Sequence, residues 1–523
     1  MKKIEIKKKY LVIPVCEDAE ISKLLFCKNE KLIFDLDIRI AVPGQESVDY
    51  YINIERFGDS IDIETAPARD FEIRFADSDV TDGLYKETRR PLVHFSAKRG
   101  WINDPNGLVE YTSPVTGKKT YHMFFQHNTC SVKWGNMHWG HAASDDMIHW
   151  TQADCALYPD EFGTMYSGSA IVDKDNKSGL KQGAEDVILL YYTAAGGNGR
   201  TSEGAKFTQC LAYSTDGGLT FAKYSKNPVV GHIIGENRDP KVIWCDPISS
   251  YVMALYLDGR TYALFTSDNL IDWTMLQKID IEGDSECPDF YPLTCAEDGK
   301  TKWILSGASH YYLAGDMKDG KFVPSQASKR LHHGNNSYAS QTYSDVADGR
   351  RINAAWNTFG IPDAIFNCQM GIPVEHILKL HDGEYLLCAN PVREFDALRT
   401  GVKSDVNMTG EWGQDIGECA EIFIKAKKIS DNSVIKFSIY GADFTCDIKN
   451  NKMKYKDLQM PLAKIGNALN LRLICDKNSI EVYSNFGEVY CVVGHIAQNQ
   501  KFNLLTGKNA EIEVKINDLN PIW

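Results

Sequence analysis

The chain lacks most of the features that mark membrane, nucleic-acid-binding or disulfide-stapled proteins. No stretch of its 523 residues reaches the roughly 18 consecutive apolar residues of a membrane span, and its start lacks the apolar core of a secretory leader. Positive charge is short as well. Lys and Arg number 57 against 70 Asp and Glu, a formal charge of −13, which argues against a polyphosphate partner that needs clustered cations. The one basic cluster, Lys2-Lys3 with Lys7-Lys8-Lys9, alternates with Ile4 and Ile6 and reads as a charged edge strand. The 14 cysteines are scattered from Cys16 to Cys491 with no Cys-x-x-Cys pair, a pattern of reduced, buried thiols rather than a disulfide framework. With no leader visible, the expectation is a cytoplasmic protein. A long apolar period of 3.6 residues is also missing, which removes the helical fold classes.

What is present is strand after strand. Val187-Ile188-Leu189-Leu190-Tyr191-Tyr192, Tyr251-Val252-Met253-Ala254-Leu255-Tyr256 and Lys302-Trp303-Ile304-Leu305 are short β-rich runs between Gly, Asp and Asn turns. The fold class is all-β, and the length calls for two to four domains. Three segments share the pattern [Ser/Thr]-Asp-x4-[Trp/Phe]: Ser144-Asp145 to Trp150, Thr215-Asp216 to Phe221, and Ser267-Asp268 to Trp273. Each follows a short apolar strand. They read either as three unrelated hairpins or as a repeat, and a repeat of small antiparallel sheets predicts a propeller. The flanks differ. Residues 1–88 form a small N-terminal β-module ending in acidic turn residues, 89–390 the propeller, and 400–523 a C-terminal β-sandwich. Alternation in Ser479-Ile480-Glu481-Val482-Tyr483 and in Glu511 to Ile516 supports the last.

Three carboxylates have unusual settings. Asp104 opens Asp104-Pro105-Asn106-Gly107, a strong turn sequence in which Pro105 holds Asp104 extended, with Trp101 and Asn103 beside it as an apolar wall and a donor. Read alone, the tetrapeptide is more simply an ordinary Asp-Pro turn on the surface. Asp239 lies in Arg238-Asp239-Pro240, where the Arg favours its ionised form. Glu286 precedes Cys287-Pro288-Asp289-Phe290-Tyr291, whose aromatics would desolvate it and raise its pKa. Retaining glycoside cleavage needs this contrast: one ionised nucleophile and one protonated acid.

Trp101 to Gly107, Arg238-Asp239-Pro240 and Glu286-Cys287-Pro288 together resemble, in order and spacing, glycoside hydrolase family 32, which contains invertases, inulinases and levanases. The likeness extends through Phe124-Phe125-Gln126, Trp134 to His141, Tyr166-Ser167-Gly168-Ser169 and Ala355-Trp356-Asn357 to Leu471-Arg472-Leu473 and Ser479-Ile480-Glu481. The resemblance implies a five-bladed propeller followed by a β-sandwich, with the site in a funnel on the propeller axis. It implies that Asp104 is the nucleophile, Glu286 the acid and base, and Asp239 the transition-state stabiliser. Asn103, Gln126, Trp134, Ser167, Arg238 and Trp356 would line the fructose subsite, with no metal and no cofactor. Tyr166, the run Asn335-Asn336-Ser337-Tyr338, and Met370 to Glu375 depart from the family pattern, which bears on subsites rather than on activity.

Other readings are weaker. His122, His127, His138, His141 and His149 have no Cys or carboxylate partner at metal-site spacing and read as structural. The run Gly196 to Lys206 misses the phosphate-loop pattern and reads as a flexible rim loop; no Gly-x-Ser-x-Gly is present. The expected activity is hydrolysis of terminal β-fructofuranosyl units from levan, inulin or sucrose. Fructosyl transfer and a non-catalytic fructan-binding propeller are the alternatives. The Trp134 to Gly140 run resembles exo-acting members.

Overall fold

The computed structural model describes residues 2–69, 71–427, 429, 433–466, 468–507 and 510–523. Among them, helix is confined to three short 3-10 turns, and none is long and apolar enough to cross a membrane. Residues 100–391 form five antiparallel sheets whose four main strands follow in chain order. Their first strands are Gly100–Thr112, Thr164–Asp173, Arg238–Cys245, Asp289–Thr294 and Tyr338–Thr342. Each first strand lies against the next, and Tyr338–Thr342 returns to Gly100–Thr112, so the sheets close into a ring as a β-propeller. The closure is also hydrogen-bonded. Phe366–Asn367 pairs in parallel with Gly100 and Trp101, and the Gly100 N–H donates to the Ile365 carbonyl at 2.9 Å. A side chain at Gly100 would meet the Asn128 carbonyl at 2.2 Å, so this seam needs glycine.

The repeated motif sits where the third strand of a sheet turns into the fourth, but its working residue is displaced by one in two of the three copies. Asp146 and Asp216 each accept two backbone N–H bonds with one carboxylate oxygen, and Asn269 does so with its amide oxygen. Ser144, Ser214 and Ser267 donate to them. The repeat is therefore Ser-x-[Asp/Asn], not Ser/Thr-Asp. Asp145 and Asp268 are next to the closing residue because an Asx turn is closed from two positions after the Ser.

The N-terminal module consists of a four-stranded sheet and a three-stranded sheet around a core that includes Leu11, Phe26, Phe34 and Tyr50, with Cys130 of the propeller inside it. Lys2–Glu5 is an edge strand, but Lys7, Lys8 and Lys9 of the same basic cluster lie outside it, in the connection to Tyr10–Val15. The Arg56 guanidinium lies 4.1–4.2 Å from the ring centroids of Phe34, Phe57 and Tyr158, stacking module against propeller. The C-terminal region forms two six-stranded sheets with Ile422, Phe437, Phe444 and Val482 in the shared core. All 14 cysteines are free.

Strand Ser479–Ser484 is buried on both faces, so its alternation does not mark a wet side. Its polar face meets the propeller instead. His94 is fully buried, with Nδ1 2.7 Å from Asp476 Oδ2 and Nε2 3.2 Å from Glu481 Oε1. Asp476 also accepts the N–H groups of Leu92 and Val93, and Glu481 accepts the Tyr483 hydroxyl and the Ile372 N–H. Burial alone would lower the His94 pKa, but the two carboxylates outweigh it and raise it to about 9.

This value lies above the ordinary 6.5, so the stabilisation by the imidazolium is complete below pH 6.5 and is lost as pH rises through about 9. His94→Gln is expected to destabilise the protein by about 3–5 kcal/mol near pH 6. Denaturant titrations should show that deficit shrinking by on the order of 3 kcal/mol toward alkaline pH. A deficit independent of pH would rule out the charged form.

Candidate active site

Four of the first strands, and the residues just ahead of the remaining one, bring polar side chains to the same end of the axis, and the backbone is irregular at each. Asp104 lies in a register shift between Ile102 and Pro105, Ser167 between Tyr166 and Gly168, and Asp239 between Arg238 and Lys241. Tyr338 opens a fourth shift, and Glu286 with φ +59° stands just before the fourth first strand. A bulge re-aims a side chain that regular pairing would point into the sheet. At Gly168 a Cβ would lie 1.9 Å from the Tyr191 carbonyl, so the bulge presenting Ser167 depends on glycine. Asp104-Pro105-Asn106-Gly107 is consequently not a chain reversal. Pairing with Lys119–Asn128 keeps it inside one 13-residue strand, and the turn preference is absorbed as two bulges.

The side chains form one connected network. Asp104 accepts the Ser167 hydroxyl at 2.6 Å and the Asn103 amide at 3.1 Å, and the Trp101 indole orients Asn103 at 2.9 Å. Asn106, fully buried, accepts from Gln126 Nε2 at 2.8 Å with its amino group 3.3 Å from Ser167 Oγ. Asp239 Oδ2 accepts the Cys287 N–H at 2.9 Å, and the Asp239 N–H donates to Thr193. Arg238 Nη2 donates to Glu286 Oε1 at 2.7 Å and lies 3.8 Å, by its Nε, from Asp239 Oδ2. The Tyr338 hydroxyl donates to the other Glu286 oxygen at 2.8 Å. The Cys287 thiol fills the middle, 3.6 Å from Asp104 Oδ2 and 3.5 Å from Asp239 Oδ2.

Two expectations about charge need correction. Arg238 does pull the Asp239 carboxyl downward, but burial outweighs it and, with Asp104 adding repulsion, the pKa rises to about 7. Burial likewise raises Asp104, against the lowering by the Ser167 and Asn103 donors. Glu286 is not the enclosed carboxylate its aromatic neighbours suggest. Its side chain is 32% exposed, because Phe290 and Tyr291 follow it into the next strand and turn into the sheet core.

Trp134 stands at the rim, 58% exposed, edge-on to Tyr166 at 6.2 Å. Trp356 meets Trp101 at 5.8 Å and Tyr338 at 6.5 Å on another wall. Asn103, Gln126, Ser167, Arg238, Trp134 and Trp356 are thus all gathered around the carboxylates, directly or through a neighbour. Sequence reasoning missed Tyr338, Cys287 and Asn106 as site residues. Each lies in a motif it quoted, Tyr338 in the run that departs from the family pattern. The five histidines do not meet at one point. His127 and His138 bond backbone carbonyls, His149 pairs with Asp146, and His122 and His141 bond each other, Nδ1 to Nε2, at 3.0 Å.

A buried carboxyl of pKa about 7 keeps a proton that the unfolded chain releases near its ordinary 3.8, so it lowers stability progressively as pH rises from about 4 to about 7. Asp239→Asn removes that cost and keeps an acceptor for Cys287. Its melting temperature should exceed that of the wild type at about pH 8, by on the order of 2 kcal/mol of stability, with the gain vanishing toward about pH 4.

Residues 94–385 match the Glycosyl hydrolases family 32 N-terminal domain. The chain is 29% identical over 498 residues to a levanase of Bacillus subtilis, covering 84% of this chain and 72% of that one. It is 36% identical over 347 residues to a fructan beta-fructosidase of Streptococcus mutans, covering 60% of this chain and 23% of that much longer one. Its fold is that of an exo-inulinase from Aspergillus awamori, with a TM-score of 0.75 at 23% identity, over 84% of this chain and all of that one. With the match spanning more than half its length, the chain belongs to glycosyl hydrolase family 32.

Proposed function

We propose that the protein is a retaining β-fructofuranosidase that releases terminal fructosyl units from levan or inulin and cleaves sucrose by the same chemistry. The observation that carries this reading is the convergence of Asp104, Asp239 and Glu286 on one point of the ring axis, linked by Arg238 and Cys287. Levanase and fructan β-fructosidase relatives supply the substrate class.

In this reading an Asp104 oxygen attacks the anomeric carbon of the fructosyl unit while Glu286 gives its proton to the leaving oxygen, so one C–O bond forms as the other breaks. Glu286 then takes a proton from water, whose oxygen displaces Asp104 and restores both carboxyl groups. The Ser167 and Asn103 donors favour the ionised nucleophile against burial. Asp239, 5% exposed and fixed by the Cys287 N–H, faces the same space and binds fructosyl hydroxyls as charge develops on the ring. Arg238 donates to Glu286 and lies close to Asp239, so the hydroxyls of a fructosyl unit bound there compete for its donors. Hydrolysis and fructosyl transfer share the first step and differ in the acceptor that meets the covalent intermediate.

Asp104→Ala and Glu286→Ala are each expected to lower fructose release about 10³-fold or more with the fold intact. Incubation with levan, inulin and sucrose should give fructose as the first product. An early ladder of oligosaccharides would refute terminal release, and lengthened products would indicate transfer. Ser167→Ala removes a bond that lowers the Asp104 pKa, so the acid limb of kcat/KM should move to higher pH. An unmoved limb would argue against Asp104 as the ionised nucleophile.

A further inference from the structure

Residues 1–88 carry none of the acid, base or nucleophile groups, yet they grip both rim loops beside the site. The first loop bears Trp134. Glu17 accepts the Ser131 hydroxyl at 2.9 Å and the Val132 N–H at 2.8 Å, and Lys133 donates to the Glu17 carbonyl at 2.9 Å. On the other side of Trp134, Asn136 pairs with the Asp37 backbone in both directions, accepting its N–H at 2.8 Å and donating to its carbonyl at 2.7 Å. Trp134 is therefore anchored within two residues on either side, although its ring is mostly exposed.

The second loop is the glycine-rich run expected to be flexible. Here it is pinned. Asp35, 9% exposed, accepts the Arg200 N–H at 3.1 Å, the Thr201 N–H at 2.9 Å and the Thr201 hydroxyl at 2.6 Å. Burial would raise the Asp35 carboxyl, but these donors hold it below the ordinary value as a charged acceptor. From that loop the Asn198 amide donates to the Tyr166 hydroxyl at 3.2 Å. Both arms meet at the Tyr166–Trp134 pair, and Tyr166 is the residue before Ser167 in the bulge that presents Ser167 to Asp104. One strand, Lys31–Ile38, supplies both Asp35 and Asp37.

We propose that the N-terminal module is a positioning element of the active site, in which Glu17, Asp35 and Asp37 fix the two rim loops and so set where Trp134 and Tyr166 meet the bound fructan. The inference rests on the fructosidase reading and gives the module a part in substrate affinity. A module that only stabilised the fold would need hydrophobic packing, which Phe34 and Cys130 already supply, with Arg56 stacked between module and propeller. Charged acceptors aimed at the backbone of two particular loops restrict conformation, which lowers the ordering cost of binding.

The test is steady-state kinetics of the full chain on levan oligosaccharides, with melting temperatures measured in parallel. Asp35→Ala and Glu17→Ala should each raise KM about tenfold while kcat at saturation changes less than about twofold. Asp35→Asn, which keeps one acceptor, should recover part of the loss. Thr201→Val removes one of the same bonds from the propeller side and leaves the module intact, so it carries the test if Asp35→Ala fails to fold; it too should raise KM. Unchanged KM in folded variants would overturn the proposal alone, as would a joint fall of kcat and melting temperature with no rescue by Asn. A wild-type protein inactive on levan, inulin and sucrose would overturn the fructosidase reading and this proposal together.

Discussion

Arg238 stands among carboxylates that would otherwise repel one another. It donates to Glu286 and lies close to Asp239, while Asp104 reaches the same space through Ser167, Asn103 and the Cys287 thiol. One guanidinium does not neutralise three carboxylates, and burial makes each uncompensated charge more costly. Burial and mutual repulsion push the Asp239 and Asp104 carboxyls upward, and donors fixed in direction oppose the shift. This is the condition in which acid and base roles separate, because small differences in hydrogen bonding decide which oxygen holds the proton.

Such a cluster persists only on a frame that cannot relax away from it. The ring supplies that frame. Below the carboxylates, Lys241 donates to the Thr342 carbonyl and lies 3.5 Å from Asp289, which in turn accepts the Thr342 N–H at 2.6 Å. Ser169 accepts the Val242 N–H, and Gln341 donates to the Gly168 carbonyl. These bonds tie four of the first strands together directly under the bulges that aim Ser167, Asp239 and Tyr338. The irregular backbone is thereby held by regular structure on every side.

The flanking regions act on the ring in different ways. The sandwich meets it through a buried polar contact, His94 between Asp476 and Glu481, within a hydrophobic core that both share. The N-terminal module meets it through stacked rings around Arg56 and, nearer the site, through carboxylate and backbone contacts to two loops. The first kind of contact joins bodies. The second orders the surface that a long, flexible substrate must find.

Much of this was legible in the residues. Strand composition and turn spacing gave the all-β class, and Asp104, Asp239 and Glu286 stood out when the motifs Asp104-Pro105-Asn106-Gly107, Arg238-Asp239-Pro240 and Glu286-Cys287-Pro288 were read together. Other features were misread for a consistent reason. The Asp104 turn became a bulged strand, the alternation at Glu481 became an interface, and the glycine-rich loop became a clamped one. Local preference describes what a segment does in water, and each of these segments is instead paired with residues far away in the chain. The sequence by itself determined which chemical groups are available and which segments can form strands. Only the tertiary structure decided which carboxylate is buried, what Arg238 bonds, and that Tyr338, Cys287 and a strand of the N-terminal module share one site, because distance and desolvation arise only once the ring closes.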